Sequence, residues 1–281
     1  MVLIKEKKIK DLLKENDIRP KKKLGQNFIF DENILNKIAD SIGPISGLSI
    51  IEIGPGPGGL TKSLLRCNPK SITLVEKDVS FKGILLEITK NYPSVTSNLI
   101  FDDVMKINLD ELEVLKKNRV KYISNLPYYI STQVLLKILP FHTNVLEATF
   151  MFQKEVAERL IANPHNKKYS KLSVIAQYCC NIKKIFNLNS NIFYPKPDVD
   201  SCLLNFKPKD TTCIDVYNEL KNLTKLAFEK RRKTIKNSLS NIEGIKGLLE
   251  KLDIDDQCRA ENLSVEKYTN LAKCLVDRKL V

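Results

Sequence analysis

Two clusters of residues in this sequence have the types and spacing that chemistry on a nucleoside requires. The first is Glu52-Ile-Gly54-Pro-Gly56-Pro-Gly58-Gly59, which follows an apolar run and opens onto a helical pattern. Glycines at a strand-to-helix turn let the backbone bend sharply and approach a ligand with no Cβ in the way. Glu76 ends the next apolar run, where a carboxylate can accept hydrogen bonds from both ribose hydroxyls of an adenosine-containing cofactor. Asp103, just after the third such run, is placed to recognise an adenine amine. Gly54, Gly56 and Gly59 also satisfy G-x-G-x-x-G literally, so the loop alone leaves nicotinamide dinucleotides and S-adenosyl-L-methionine both open.

The second cluster is Asn125-Leu126-Pro127-Tyr128, after the fourth predicted strand, at the carboxyl edge where α/β sheets bind ligands. An adenine exocyclic nitrogen is a poor nucleophile because its lone pair is delocalised into the ring. The Asn125 side-chain oxygen and the Leu126 carbonyl can accept its two N–H hydrogens. Pro127 stiffens the turn and Tyr128 can stack on the base. Such acceptors localise the lone pair and aim it at a methyl sulfonium, so positioning carries the catalysis, worth about 7–11 kcal/mol. That chemistry selects S-adenosyl-L-methionine over a dinucleotide.

Two further segments fit a nucleic-acid substrate. Phe193-Tyr-Pro195-Lys-Pro197-Asp-Val-Asp-Ser201 is a proline-fixed loop. Phe193 there is either an ordinary core aromatic or the second wall of a base sandwich with Tyr128. Stacking contributes about 1–3 kcal/mol per base, which helps offset the few kcal/mol that extruding a base costs. In the segment 228–239, Phe228, Ile235 and Leu239 lie seven and then four apart, the spacing of one buried helical face. Lys230, Arg231, Arg232, Lys233 and Lys236 crowd the other faces against the single acid Glu229, a phosphate-tracking pattern. Lys21-Lys22-Lys23 is a second, weaker basic contact.

The elements that must position these residues are legible as alternating strands and helices. SIIEI (49–53), ITLVE (72–76), NLIF (98–101), VKYIS (120–124) and ATFMF (148–152) are apolar runs, mostly separated by helical stretches. Such alternation predicts an α/β domain with a parallel sheet covered on both faces. KIFNL and SCLLNF predict an antiparallel hairpin at the sheet edge. Residues 4–16 read as a short charged helix, LGQNFIF as a loop, and Asp31 as the cap of a helix carrying Ile34, Leu35 and Ile38. Past residue 210 the pattern is helical only. The expected organisation is 1–210 as the cofactor domain and 211–281 as a small helical domain.

Composition agrees with this organisation and excludes other classes. The 281 residues are 43% hydrophobic and 28% charged, as in an ordinary globular chain. Lys and Arg exceed Asp and Glu by 13, which favours a polyanionic partner. The seven cysteines and two histidines show no metal-ligand spacing, so no metal is expected. The cysteines are expected as buried or neutral thiols of a reducing compartment. With no apolar stretch of signal-peptide or membrane-span length, the expectation is a cytoplasmic protein with no membrane partner.

LGQNF, EIGPGPGGLT, NLPYYIST, QKEVAERL, FYPKPDVDS, FEKRRKTIKNSL and RAENLS occur in this order, and together they resemble the KsgA-type small-subunit ribosomal RNA adenine dimethyltransferases nearly end to end. The resemblance implies a Rossmann-like class I methyltransferase sheet and a small C-terminal helical domain that contacts RNA. It implies methylation of the N6 amines of two adjacent adenosines near the 3′ end of small-subunit rRNA, two transfers onto each. The substrate implied is a pre-ribosomal small subunit, and the enzyme a monomer. By position, Asn27 and Ile29 would contact the cofactor's methionine side and Gly54 and Gly56 would support it. Glu76 would hold the ribose, Asp103 the adenine, and Asn125 would sit between cofactor and target amine. Tyr128 and Phe193 would flank the base, and Arg231, Arg232, Lys233 and Lys236 would approach rRNA. The residue after the NLPY tyrosine, often Asn in this family, is Tyr129 here. Enzymes that methylate large-subunit rRNA share the first half of the pattern, whereas the C-terminal segments follow the small-subunit branch. The rivals are a non-catalytic rRNA-binding assembly factor, and a nicotinamide oxidoreductase that gives NLPY no role.

Overall fold

Apolar runs bounded by turn residues become the strands of one sheet in the computed structural model, which describes residues 7–230 and 232–279. Residues 4–6 of the expected first helix, and Arg231, lie outside the described residues. In chain order the elements begin α1 (Ile9–Glu15), β1 (Phe28–Ile29), α2 (Glu32–Asp40), β2 (Ser49–Ile53) and α3 (Gly59–Arg66). Then come β3 (Ser71–Glu76), α4 (Lys82–Lys90), β4 (Thr96–Phe101), α5 (Glu113–Lys117), β5 (Val120–Ser124), α6 (Tyr128–Ile138) and β6 (Val145–Gln153). The chain continues through α7 (Lys154–Leu160), α8 (Lys171–Cys179), β7 (Cys180–Leu188), β8 (Phe193–Tyr194) and β9 (Ser201–Pro208). It closes with α9 (Ile214–Glu229), α10 (Ile235–Ser238), α11 (Ile245–Lys251) and α12 (Val265–Lys279).

The large sheet has the order β4-β3-β2-β5-β6-β9-β7, with β4 through β6 parallel. Every residue of β2 and β5 is buried, as strands covered on both faces must be. The Lys154 N–H donates to the Asp200 carbonyl, and the Asn205 amide reaches Thr149, so β9 runs antiparallel to β6. The Lys209 N–H donates to the Cys179 carbonyl at the opposite end, making β7 and β9 the expected hairpin, with the later strand on the inside. From β2 the chain builds outward to β3 and β4, then returns to add β5 and β6 on the other side. The crevice at such a reversal, beyond the carboxyl ends of the strands, is where open α/β sheets bind ligands.

The segment read as a loop around LGQNFIF contains a strand. β1 pairs antiparallel with β8, Phe28 opposite Tyr194 and Ile29 opposite Phe193. The pairing ties the loop before α2 to the proline-rich loop. Asp31 caps α2 as expected, its carboxylate accepting the N–H groups of Asn33 and Ile34 at 2.9 and 3.3 Å, while Leu35, Ile38 and Ala39 are buried.

Two compact units divide the chain, the first Met1–Ile138, His142–Lys154 and Lys184–Asn205, the second Leu139–Phe141, Glu155–Lys183 and Phe206–Val281. The last segment of the second unit starts near the boundary expected at 210, but the unit also takes 155–183. The reason is packing: α8 lies against α9 and α12, and Phe228 stacks on the buried Tyr268 and meets Tyr169 edge-on. The basic segment 228–239 is not one helix. α9 ends at Glu229, and Thr234 is extended, bridging Arg259 and capping α10 with its hydroxyl. Four consecutive cations have a single acid at i,i+4, Glu229 before Lys233, to support a helix, and a threonine favours the cap that restarts one.

All seven cysteines are free thiols, and burial pushes that of Cys179 up to about 12. Among the described residues no helix is long and apolar enough to cross a membrane.

Candidate active site

The glycine loop after β2, the ends of β3 and β5, the loop after β4 and residues 24–29 enclose one cavity in the first unit. Its lining includes Asn27, Ile29, Gly54, Gly56, Glu76, Asp103, Asn125, Leu126, Pro127 and Tyr128. Thus every residue expected from sequence to hold the cofactor or act on the amine meets in one place.

The walls of the cavity are locked together. Gly54 has φ +69°, and a Cβ there would lie 3.1 Å from Leu126 Cδ2, so the two sequence motifs approach closely only because this position is glycine. Glu76 is buried, with Oε2 accepting the Gly56 N–H at 2.9 Å and Oε1 the Asp78 N–H at 2.7 Å. A carboxylate oxygen accepts more than one hydrogen bond, so both retain capacity for a ribose diol. Burial pushes the Glu76 carboxyl above its ordinary range, against these backbone hydrogen bonds. Asp103 accepts Lys77 Nζ at 2.9 Å and the Met105 N–H at 2.9 Å, and the Lys77 ammonium holds its carboxyl below the usual range.

Asn125 follows β5 directly, and its side-chain amide has no hydrogen-bond partner among the described residues. Tyr128 opens α6, and its hydroxyl lies 2.5 Å from Ser201 Oγ at the start of β9. That bond fixes the ring from the far end and links the NLPY turn to the end of the proline-rich loop.

Three features have contacts that sequence reasoning did not assign, although it singled out Tyr129 by type. Tyr129 is 56% exposed and its ring packs on Gly25, where a Cβ would come within 3.1 Å of it. The LGQNF segment is clasped to the strand β3 end: Lys21 Nζ and Gln26 Nε2 donate to the two Asp78 oxygens at 2.7 and 3.0 Å, and the Gln26 amide oxygen accepts the Lys21 N–H. Asp78 is the residue whose own N–H supports Glu76, so one residue joins the ribose carboxylate to the loop that covers the cavity. Asp78→Asn loses the charged half of the clasp and should raise KM for the methyl donor about tenfold, roughly 1.4 kcal/mol, with kcat within about twofold. Steady-state kinetics check it; an equal fall in kcat would contradict a role confined to the loop.

The third feature is Glu52, which lines the cavity and accepts the Thr61 hydroxyl at 2.7 Å. Burial pushes its carboxyl from the ordinary 4.5 up to about 8. The folded protein therefore keeps a proton that the unfolded chain releases. Stability falls as pH rises from about 4.5 to about 8 and levels off above that. Glu52→Gln keeps an acceptor for Thr61 and removes the ionisation. It should be more stable by about 1–3 kcal/mol above the upper pKa, the gain shrinking toward acid. Thermal melts across this range would show a pH-independent difference if the reasoning is wrong.

Phe193 does not line the cavity. Its ring is 4% exposed within the hydrophobic core, and the exposed aromatic of that loop is Tyr194. Of the basic residues assigned to RNA, Arg232 and Lys233 are exposed, whereas Lys236 pairs with Asp256 at 2.8 Å.

A parallel α/β sheet with an antiparallel strand set inside its last edge, a glycine loop facing a ribose carboxylate, and an unengaged amide beside a proline turn define a nucleoside-cofactor transferase of the methyltransferase type. The model of the family described as ribosomal RNA adenine dimethylase matches residues 18–277, and the chain belongs to that family, whose members methylate adenine with S-adenosyl-L-methionine. The chain is 40% identical over 273 residues to the ribosomal RNA small subunit methyltransferase A of Bartonella bacilliformis, covering 95% of this chain and 97% of that protein. The protein of the same name from Buchnera aphidicola is 40% identical over 263 residues, covering 93% and 98%. Among solved structures, a dimethyladenosine transferase from Plasmodium falciparum shares the fold, with a TM-score of 0.76 and 24% identity over 90% of this chain and 98% of that one.

Proposed function

We propose that this enzyme dimethylates the N6 amines of two adjacent adenosines near the 3′ end of small-subunit rRNA. It acts on the pre-ribosomal small subunit, in the cytoplasm and as a monomer. The observation that carries the reading is the unengaged Asn125 amide, on the wall of a cavity that also presents Glu76 and Asp103. The two small-subunit relatives, matched along nearly their whole length, support the choice of subunit.

The residues fit S-adenosyl-L-methionine. Glu76 supplies free acceptor capacity for a ribose, the glycine loop removes side chains where a nucleoside must approach, and Asp103 stands where an adenine amine would be read. When bound, the cofactor supplies a methyl group already activated on a sulfonium. The protein then has to hold the target amine in line and localise its lone pair. Asn125 Oδ1 and the Leu126 carbonyl accept the two N–H groups, and Pro127 keeps these acceptors at a fixed angle. Tyr128, anchored through Ser201, presents its ring to the base. No strong general base is needed, because the proton becomes acidic only as the new N–C bond forms and can leave to solvent.

The test is methyl transfer from labelled S-adenosyl-L-methionine to undermethylated small subunits, followed by nucleoside analysis. Dimethyladenosine at adjacent positions is the expected result. Cofactor and subunit binding without transfer would favour an assembly factor instead.

A further inference from the structure

Of the large apolar side chains left exposed among the described residues, Tyr129 is the one that lines the cofactor cavity. A lone aromatic on an open surface needs no explanation, but a ring at a cavity mouth can cover what enters. Successive helix positions lie about 100° apart, so the two tyrosines that open α6 face different ways. Tyr128 reaches Ser201, whereas Tyr129 lies over Gly25. A Cβ on Gly25 would come within 3.1 and 3.2 Å of Cε1 and Cδ1 of that ring, and within 3.3 Å of the Pro127 Cβ. One edge of the ring is therefore seated on the segment 24–29, while the residue as a whole stays 56% exposed.

The phenol end of the side chain lies toward the adenosine side of the cavity. The Lys77 ammonium is held above its ordinary pKa first by its hydrogen bond to Asp103, at 2.9 Å, and in part by the nearby Tyr129 oxygen. Lys77 also follows Glu76 directly and lines the same cavity. Glu76 and Asp103 supply polar partners for a ribose and for one edge of an adenine. A purine also has apolar faces, and an aromatic ring is the partner that suits them.

We propose that Tyr129 is a cofactor-binding residue that closes the cavity over the adenosine end of S-adenosyl-L-methionine, its ring against the purine. The proposal rests on the cofactor reading above, in which Glu76 holds the ribose and Asp103 the adenine. It gives the ring to the cofactor and leaves the target base to Tyr128.

The test is ligand binding by the full chain, read by calorimetry. Tyr129→Ala should weaken S-adenosyl-L-methionine about tenfold, and S-adenosyl-L-homocysteine by the same factor, because both carry the adenosine. 5′-Methylthioadenosine, which lacks the amino-acid end, should lose as much in competition with the labelled methyl donor. Tyr129→Phe keeps the ring and should recover most of the lost affinity. The chain contains no tryptophan, so Tyr129→Trp places a single indole at the site. Its emission should change when S-adenosyl-L-homocysteine or methylthioadenosine binds. Unchanged affinities in Tyr129→Ala, or an indole that does not respond, would overturn the proposal. So would a loss that methylthioadenosine does not share, which would place the effect in the segment 24–29. Intact cofactor affinity with weakened binding to undermethylated small subunits would give the ring to RNA and overturn it too. A wild type that binds none of these ligands would fail the cofactor reading itself, and the proposal with it.

Discussion

Asn125→Ala should lower the rate of methyl transfer by about 10²–10³, the usual cost of removing one group aimed at charge that develops in a transition state. Affinity for S-adenosyl-L-methionine should change only a few-fold, because Glu76, Asp103 and the glycine loop remain. The asymmetry follows from what the amide does. The adenine nitrogen becomes a nucleophile only when its lone pair leaves the ring, and an acceptor on its N–H groups lowers the energy of that state. Alanine leaves the amine to the Leu126 carbonyl alone, so the lone pair is neither localised nor aimed. Asn125→Asp keeps an oxygen at the same distance from the backbone and should retain more activity than alanine. Single-turnover transfer on undermethylated small subunits, with cofactor binding by calorimetry, separates the two quantities. Full activity in Asn125→Ala would refute the amine-acceptor mechanism, and a parallel loss of cofactor affinity would make Asn125 a binding residue only.

The parts of this site that sequence makes legible are those where one physical demand fixes residue type. SIIEI and VKYIS coincide with β2 and β5 because strands buried on both faces are mostly apolar and turns bound each run. Their buried Glu52 and Lys121 are hydrogen-bonded to Thr61 and the Ile42 carbonyl. Gly54 is legible because its neighbours imply a turn, though only the structure shows that Leu126 occupies the space a Cβ would need. The pairing of β1 with β8 is not legible, since two-residue strands show no periodicity and their partners are far apart in sequence. The same holds for Gln26 and Lys21 on Asp78, where only folding brings the groups together.

Spacing misleads where two elements share a phase. Phe228, Ile235 and Leu239 fit one helical face, yet the first sits on α9 while Ile235 opens α10 and Leu239 ends it, because Thr234 has a bridge partner at Arg259 that periodicity cannot show. Lys236 reads as a phosphate contact from charge alone and in the fold is paired with Asp256. Phe193 shows the limit for aromatics: its type suits stacking and core packing equally. Burial opposite Ile29 puts its ring in the core and leaves Tyr194 as the face open to solvent.

Glu76→Ala should have the opposite signature to Asn125→Ala, a loss of cofactor affinity of about 10²–10³. Two hydrogen bonds from ribose hydroxyls to a buried carboxylate are at stake, each contributing roughly 1.5–3 kcal/mol, with part returned to water in the variant. The substitution also strips the Gly56 and Asp78 N–H groups of their acceptor, so the glycine loop loses its anchor. Glu76→Gln is the sharper probe, since it keeps one acceptor oxygen for the backbone and replaces the other with a donor that cannot accept a ribose hydroxyl. The same reasoning fixes a pH dependence. Burial raises the Glu76 carboxyl above its ordinary range, so the free protein protonates it at a higher pH than an ordinary glutamate. Protonation turns an acceptor into a donor, and cofactor affinity should therefore fall as pH drops through that raised value and plateau above it. Glu76→Gln should flatten the profile. Calorimetric titrations over this range decide the matter: an unchanged profile in Glu76→Gln would assign the pH dependence to another group and remove Glu76 from the ribose.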